Sequence, residues 1–346
     1  MIDKYLITQD YTVKQAIEKM KTENVKALLV VADDNTVLGL FSNGDMREFF
    51  LSGGSLIDSI TVAMNKSPVL FDSRNAVEAE RKHTIRVIYP IVDNEGRVKD
   101  IVDYEQDDDK KRSDYLKDVP LVIMAGGKGT RLYPYTKILP KPLIPIGDCS
   151  ITERIIESFA KYGVKDVTMI LNHKANMIKS YMSDIESDYN IDFVEEDEFL
   201  GTAGGLQLVK DRINNTFIVS NCDILIDDDI ECVYKTHKAK KNKITMICSM
   251  KDMVIPYGVV ETNVDGTIRT MKEKPDYSFL INTGVYMVEP EVLDDIKPGE
   301  FIHMPDLAQR CIDKGENVGV FPIPEKAWLD MGQLSEMKNM LKSLDL

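Results

Sequence analysis

The stretch that decides the fold is LVIMAGGKGTRLYPYTKILPKPL, residues 121–143. Its first five residues form an unbroken apolar run, the pattern of a strand buried on both faces. Three glycines in four positions follow: Gly126, Gly127 and Gly129. Glycine lets backbone approach a ligand closely and adopt positive φ, and successive N–H groups in such a loop can line an anion-binding concavity. Lys128, Arg131, Lys137 and Lys141 gather positive charge here, in a chain whose formal net charge is -14. Cations concentrated against the overall balance point to a polyphosphate. Pro140 and Pro142 stiffen the backbone around Lys141. A Walker A loop needs G-x-x-x-x-G-K-[ST] and a dinucleotide fingerprint needs G-x-G-x-x-G. The segment Gly127-Lys-Gly-Thr-Arg-Leu ends in leucine, so neither pattern is met.

Downstream, apolar runs recur at 167–171, 216–220, 244–248 and 280–288, with helical patterns at 151–162 and 176–187. Strand-helix alternation specifies an α/β domain with a mostly parallel sheet, whose ligands sit beyond the carboxyl ends of the strands. VSNCDIL (219–225) puts Asp223 just after one such run, and WLDMG (328–332) puts Asp330 before a glycine. Two convergent aspartates could hold magnesium, which favours oxygen ligands, against a triphosphate. Taken singly, each is equally a turn residue or a cap. Asp227, Asp228 and Asp229 suit a solvated turn or helix start. EEDEFLGTAGGL (195–206) is a second glycine-rich turn, where small residues could let a flat base lie against backbone. None of the four histidines falls in these motifs, and no Ser-His-Asp arrangement is visible.

The 346 residues predict two or three domains. Composition is that of a globular chain, 43% apolar and 29% charged, and no apolar stretch approaches a membrane span. The acidic balance disfavours nucleic acid as a partner. Five cysteines, an odd number without zinc-ligand spacing, suit reduced core residues. The N-terminus lacks a basic segment followed by an apolar run, so a cytoplasmic location is expected. The first hundred residues carry a repeat: strand, polar turn and strand from Lys26, then again from Arg86, each preceded by a helical stretch (12–22 and 73–83). Two copies of about 60 residues form a tandem pair that must pack together. Residues 103–118 are the most charged segment. The expected boundaries are repeats at 1–60 and 61–106, a linker at 107–118 and an α/β domain at 119–346.

Gly126-Gly-Lys-Gly-Thr-Arg-Leu followed by Pro140-Lys-Pro-Leu resembles the signature of sugar-1-phosphate nucleotidyltransferases, and the likeness runs from about 119 to 335. It implies a Rossmann-like, mostly parallel mixed sheet in three α/β/α layers. By this resemblance Ala125, Gly126, Gly127, Gly129, Thr130, Glu196, Gly201 and Thr202 bind the nucleotide. Asp223 and Asp330 hold Mg²⁺. Gly258, Glu273, Asn282 and Gly284 line the sugar-phosphate half. Arg131 takes the leaving pyrophosphate, Lys141 the α-phosphate region and Lys274 the attacking phosphate. The sugar-phosphate oxygen is already ionised near neutral pH, so positioning and charge neutralisation carry the reaction. The leucine-containing turn at 200–205 is similar to that of guanylyl- and uridylyltransferases of the mannose-1-phosphate type.

The N-terminal repeat resembles a tandem pair of CBS domains, a small α+β module, best in GLFSNGDMR (39–47). The resemblance implies that Ser42 and Asp45 bind phosphate and ribose of an adenine nucleotide. The second copy has Asp100, Asp103 and Gln106 there, and an aspartate repels phosphate. A packing or dimerisation module without ligand, giving a homo-oligomer, is the alternative. The joint arrangement is similar to bacterial guanylyltransferases of surface-sugar pathways, which favours GTP and glucosamine 1-phosphate as substrates, with UTP or CTP next. The rivals are a non-catalytic nucleotide sensor and a glycosyltransferase of similar fold.

Overall fold

The computed structural model describes residues 2–81, 87–103, 114–332, 337 and 340. The chain divides into two compact units, Met1–Lys110 and Lys111–Leu346. His83 and Gln106 lie outside the described residues, as does the central part of the charged segment.

In the first unit the order is β1 (Leu6–Thr8), α1 (Val13–Thr22), β2 (Ala27–Val31), β3 (Val37–Ser42), α2 (Asn43–Leu51), α3 (Ile60–Ala63), α4 (Arg74–Arg81), β4 (Tyr89–Val92) and β5 (Val98–Val102). Strand β2 lies between parallel β1 and antiparallel β3, and β4 pairs with β5 in a hairpin. Helix α1 starts where Thr12 and Gln15 form a reciprocal capping box, and it buries Val13, Ala16 and Met20 on one face. The repeat is visible in fine detail. The β2–β3 hairpin slips register between Val30 and Val31, and β4–β5 slips between Ile91 and Val92, the same place 61 residues on (91 − 30). The two turns also bond reciprocally, Val37 N–H to Gly96 O and Val98 N–H to Asn35 O, each 3.0 Å.

The second unit begins before the expected boundary. Leu116 is fully buried in its core, and its N–H donates to Tyr162 O at 2.8 Å. Leu116 and Val119 are apolar residues in a charged run, and both pack inward. The order continues β6 (Leu121–Ala125), α5 (Tyr135–Ile138), β7 (Pro145–Ile146), β8 (Cys149–Ser150), α6 (Ile151–Ala160), β9 (Asp166–Leu171), α7 (Ala175–Ser183), β10 (Asn190–Glu195), β11 (Phe217–Asn221), β12 (Ile224–Ile226), α8 (Ile230–Lys240), β13 (Ile244–Val254), β14 (Val259–Thr262), β15 (Ile268–Lys272), β16 (Asp276–Val288), α9 (Met304–Asp313), β17 (Val318–Pro324) and β18 (Trp328–Asp330).

A seven-stranded sheet, β10-β9-β6-β11-β16-β13-β17, forms the middle layer. Only β16 runs antiparallel to its neighbours. Each apolar strand serves both faces, as its unbroken pattern predicts. Leu121, Ile123 and Ala125 of β6 join one core with α6, α7 and α8, while Val122 and Met124 join another beneath α9 and the 3-10 turns at Gly204–Arg212 and Pro290–Asp295. The three-layer α/β/α expectation holds. Moving outward from β6, the chain goes to β9 and β10 on one side and to β11 on the other. The reversal opens a crevice beyond the carboxyl ends of β6 and β11, the usual place for a ligand in such sheets.

Among the described residues no helix is long and apolar enough to cross a membrane. None of the five cysteines is in a disulfide among the described residues, and Cys222, Cys248 and Cys311 are buried.

Candidate active site

A cleft of about 720 Å³ opens at this reversal. Its walls include Gly126, Gly127, Gly129, Thr130 and Arg131 after β6, Asn221 and Asp223 after β11, and Lys141, Glu196, Gly201, Thr202, Asn282, Gly284 and Asp330. Residues from seven separate stretches thus meet where the sequence places a phosphate site. Gly129 shows why glycine is needed: its φ is +63°, and an added Cβ would lie 3.1 Å from both Lys141 Cβ and Thr136 Cγ2. The loop is held from beneath. Thr136 Oγ1 donates to Gly129 O at 2.8 Å. Lys174 Nζ, from the turn before α7, donates to the carbonyls of Thr136, Lys137 and Ile138 at 3.1, 2.8 and 2.8 Å. Those carbonyls are the open end of α5, so one ammonium caps the helix that leads towards Lys141.

Asp223 and Asp330 are 107 residues apart (330 − 223) and meet through a two-stranded pairing of β12 with β18, Ile224 opposite Asp330. Met331 N–H donates to Asp223 O at 3.0 Å, and Gly332 N–H to Asp330 Oδ1 at 2.6 Å. The Lys141 ammonium forms an ion pair with Asp223. Burial works against its charge, but Asp223, with Cys222 and Asp330, holds its pKa above the ordinary lysine value. An ammonium drawn between two carboxylates shows that this corner attracts a cation. The oxygen-only donor set suits a hard divalent ion. A tighter group of potential ligands, Asp295, Cys311 and Glu316, lies outside the cleft lining, and Lys314 already pairs with its Asp295.

Glu196 stands on the opposite wall, 5% exposed. Two glycines make its slot: a Cβ on Gly126 would lie 2.6 Å from Oε2, and one on Gly205 would lie 2.3 Å from Oε1. Among the described residues Oε1 has no hydrogen-bond partner. Burial raises its pKa to about 7, against the lowering effect of the Leu200 N–H. A buried acceptor left unpaired costs free energy, so it is the atom that gains most from a ligand donor. Asn282 is fixed for a role in the cleft: its Nδ2 donates to Tyr286 Oη at 2.6 Å, and its Oδ1 accepts from Gly284 N–H at 3.1 Å.

Four expected site residues do not line the cleft. Ala125 ends β6 with its side chain in the core. Gly258, Glu273 and Lys274 flank the β14–β15 hairpin, which is exposed and separate from the main sheet. Glu273 Oε2 lies 3.0 Å from a Cβ built on Gly258, so the structure brings those two together but leaves them outside the cavity. Lys128 and Lys137 are likewise exposed and outside it. Conversely, Phe199, Asn221, Tyr286, His303 and Trp328 line the cleft without having been expected. Asn221 fills the space above Gly284, with Nδ2 2.3 Å from where a Cβ would be. His303 lines the cleft although it lies in none of the sequence motifs. It caps α9 in a reciprocal box with Asp306. Pro305 and Asp306 in the sequence signal a helix start there. That the start faces this cleft is a tertiary fact.

In the first unit, Ser42 and Asp45 form the capping box of α2. Asp45 Oδ2 accepts from Ser42 N–H at 2.8 Å and from Ser42 Oγ at 2.5 Å. Burial raises the Asp45 pKa against these bonds. Of the second-copy residues, Asp100 is bound by Arg74, whose Nε and Nη2 lie at 3.0 and 2.6 Å, and Asp103 accepts from Tyr5 Oη at 2.7 Å. The Arg74 guanidinium holds the Asp100 pKa low.

Comparison with known proteins agrees with this geometry. Residues 1–52 match the CBS domain family. The chain is 33% identical over 235 residues to a UTP–glucose-1-phosphate uridylyltransferase of Synechocystis sp., covering 62% of this chain and 60% of that protein. It is 34% identical over 226 residues to a mannose-1-phosphate guanyltransferase of Yarrowia lipolytica, covering 61% and 60%. It thus spans about three fifths of the length of these curated relatives. Among solved structures, HddC from Yersinia pseudotuberculosis complexed with GMP-PN shares the fold with a TM-score of 0.51 at 23% identity, covering 65% of this chain and 99% of that one. A putative glucose-1-phosphate thymidylyltransferase from Bacillus anthracis does so with 0.52 at 21%, covering 66% and 96%. Residues 121–344 match the nucleotidyl transferase family, and the chain belongs to it.

Proposed function

We propose that this chain transfers a nucleotidyl group from a nucleoside triphosphate to a sugar 1-phosphate, releasing pyrophosphate. The observation that carries the reading is one cleft in which a glycine loop, Arg131, Lys141, Asp223 and Asp330 converge. Their roles follow from charge. Gly126, Gly127 and Gly129 offer backbone to the phosphates, and Arg131 neutralises the departing pyrophosphate. Lys141 exchanges Asp223 for the α-phosphate. Asp223 and Asp330 would hold Mg²⁺, which supplies neutralisation of the triphosphate charge. Asn282 and Gly284 receive the sugar. Lys274 lies outside the cleft lining, so its role at the attacking phosphate requires the β14–β15 hairpin to approach.

GTP is the donor we favour. Guanine presents two adjacent N–H donors on its pairing edge, and a carboxyl such as Glu196 accepts both once it is ionised. Uracil presents one N–H between two carbonyls. The Yarrowia guanyltransferase supports the same choice, whereas the Synechocystis uridylyltransferase favours UTP as the second reading. Glucosamine 1-phosphate, for bacterial surface sugars of the legionaminic acid type, rests on the pairing of a CBS module with a transferase. The CBS pair could add an adenine-nucleotide response or an oligomer contact in a cytoplasmic enzyme.

The deciding assay is pyrophosphate release with Mg²⁺ across GTP, UTP, CTP, ATP and dTTP, each against a panel of sugar 1-phosphates. We expect release to be fastest with GTP together with one sugar 1-phosphate. A chain that binds nucleotide yet releases no pyrophosphate with any pair would be a sensor instead.

A further inference from the structure

We propose that Phe199, backed by Phe301 and His303, is an aromatic wall for the flat face of the donor's base, and that it makes the site favour purine over pyrimidine triphosphates. The inference rests on the nucleotidyl-transfer reading and deepens it.

Phe199 lines the cleft and is 44% exposed, and Phe301 is 60% exposed. Their ring centroids lie 6.1 Å apart in an edge-to-face arrangement, and Phe301 stands 5.0 Å from the His303 ring in the same manner. Three aromatic rings from segments a hundred residues apart thus form one run along the lip of a polar cleft. Apolar rings left open inside a phosphate site are expensive unless a flat ligand covers them.

The position of Phe199 names that ligand. A Cβ built on Gly126 would lie 3.6 Å from Phe199 Cδ2 and 2.6 Å from Glu196 Oε2. Ring and carboxyl therefore converge over the same glycine backbone. A base sliding between Gly126 and a lifted Phe199 ring would be stacked on one face and would turn its edge to the Glu196 carboxyl, whose Oε2 is the oxygen on the Gly126 side. Flat apolar face plus acceptor at the rim is the chemistry of a heterocycle with ring N–H groups. The phosphates have neither, and the sugar has no ring N–H.

The backbone under the wall is firm. Ile302 N–H donates to Leu200 O at 3.1 Å, Ala203 N–H to Ile302 O at 3.0 Å, and Met304 N–H to Thr202 Oγ1 at 3.0 Å. Thr202 N–H meets His303 Nδ1 at 3.3 Å. So the Phe199 ring can turn while its anchor stays in place. Stacking is sequence-tolerant but grows with ring area, and losing it costs about tenfold or more in affinity. A purine offers two fused rings to Phe199, a pyrimidine one.

The test uses the full-length chain with Mg²⁺ and compares the parent with Phe199→Ala and Phe199→Tyr. KM is measured for GTP, ATP and UTP, and inorganic triphosphate binding is measured by calorimetry as a base-free control. We expect Phe199→Ala to raise KM for both purine triphosphates about tenfold or more and for UTP less. Its kcat and its triphosphate binding should stay near the parent's, and Phe199→Tyr should restore KM. Unchanged KM in Phe199→Ala, or an equal rise for GTP and UTP, overturns the inference while the transfer reading stands. A parent that neither binds nor turns over any triphosphate overturns the transfer reading itself.

Discussion

Glu196 and Asp45 are both buried carboxyls whose pKa values burial pushes upward. Both sit in glycine-containing motifs that resemble nucleotide sites. They differ in what their oxygens do. Asp45 accepts from the backbone and hydroxyl of Ser42 and completes a helix cap. Glu196 keeps Oε1 without a partner in a slot cleared by Gly126 and Gly205. Desolvating an acceptor and leaving it unmatched is costly, whereas a capped helix stabilises the fold. A motif match treats the two alike, and the hydrogen-bond account separates a residue serving the fold from one held for a ligand.

The largest effect should come from the acidic corner of the cleft. Asp223→Asn or Asp330→Asn should lower Mg²⁺-dependent turnover about 10³-fold or more, which corresponds to losing several kcal/mol of charge stabilisation. Circular dichroism should be unchanged. Near-parental rates in both variants would remove the metal assignment and, with it, half of the contrast with the first unit.

Glu196→Gln should come next, and it moves affinity and stability in opposite directions. An amide accepts through one oxygen only, so GTP affinity should fall roughly tenfold, since a hydrogen bond to a charged group is worth about 1.5–3 kcal/mol. For stability, the folded-state pKa of about 7 lies above the ordinary 4.5. The unfolded chain therefore releases this proton first as pH rises. Stability linked to the protonated carboxyl is full below about 4.5 and is lost as pH climbs through about 7, by about 3 kcal/mol at most. Glu196→Gln should thus raise the melting temperature at pH 8 and have little effect at pH 5. Equal effects at both pH values would show that burial of the charge is not what sets Glu196 apart.

Lys174→Met should have an intermediate effect. It frees three carbonyls beneath the phosphate loop and removes no group from the cleft lining. A drop in kcat of about tenfold, recovered in part by Lys174→Arg, is the signature of a positioning residue. No change in kcat would mean that the loop keeps its shape without this clamp.

Much of this was legible in the residues. The unbroken apolar run 121–125 implied a strand with two buried faces, and β6 sends alternate side chains into two cores. The 61-residue repeat was legible too, and the structure adds a shared register shift after Val30 and Ile91. What escaped were facts of tertiary approach. Nothing in IHMPD (302–306) says that its helix start abuts the turn at 201–204. Glu273 and Lys274 follow the exposed β14–β15 hairpin, and sequence order alone could not say that they lie outside the cleft lining. Leu116 was hidden because its neighbours are charged, although a single apolar residue suffices to dock a turn.

The smallest effect sharpens the comparison most, because it tests Asp45 as a fold residue against Asp45 as a ligand residue. Asp45→Ala removes the acceptor for Ser42 and should cost about 1 kcal/mol, the usual value of a lost cap interaction. Basal pyrophosphate release should not change. Asp45→Asn keeps an oxygen acceptor and sheds a buried charge, so it should be as stable as the parent. The two variants then divide the roles when the effect of ATP or AMP on the parent rate is measured. A nucleotide effect that survives in Asp45→Asn but not in Asp45→Ala requires an acceptor and no charge, which suits a ribose hydroxyl. If the parent shows no effect of either nucleotide, the cap accounts for Asp45 in full, and the carboxyl that awaits a ligand is Glu196 alone of the two.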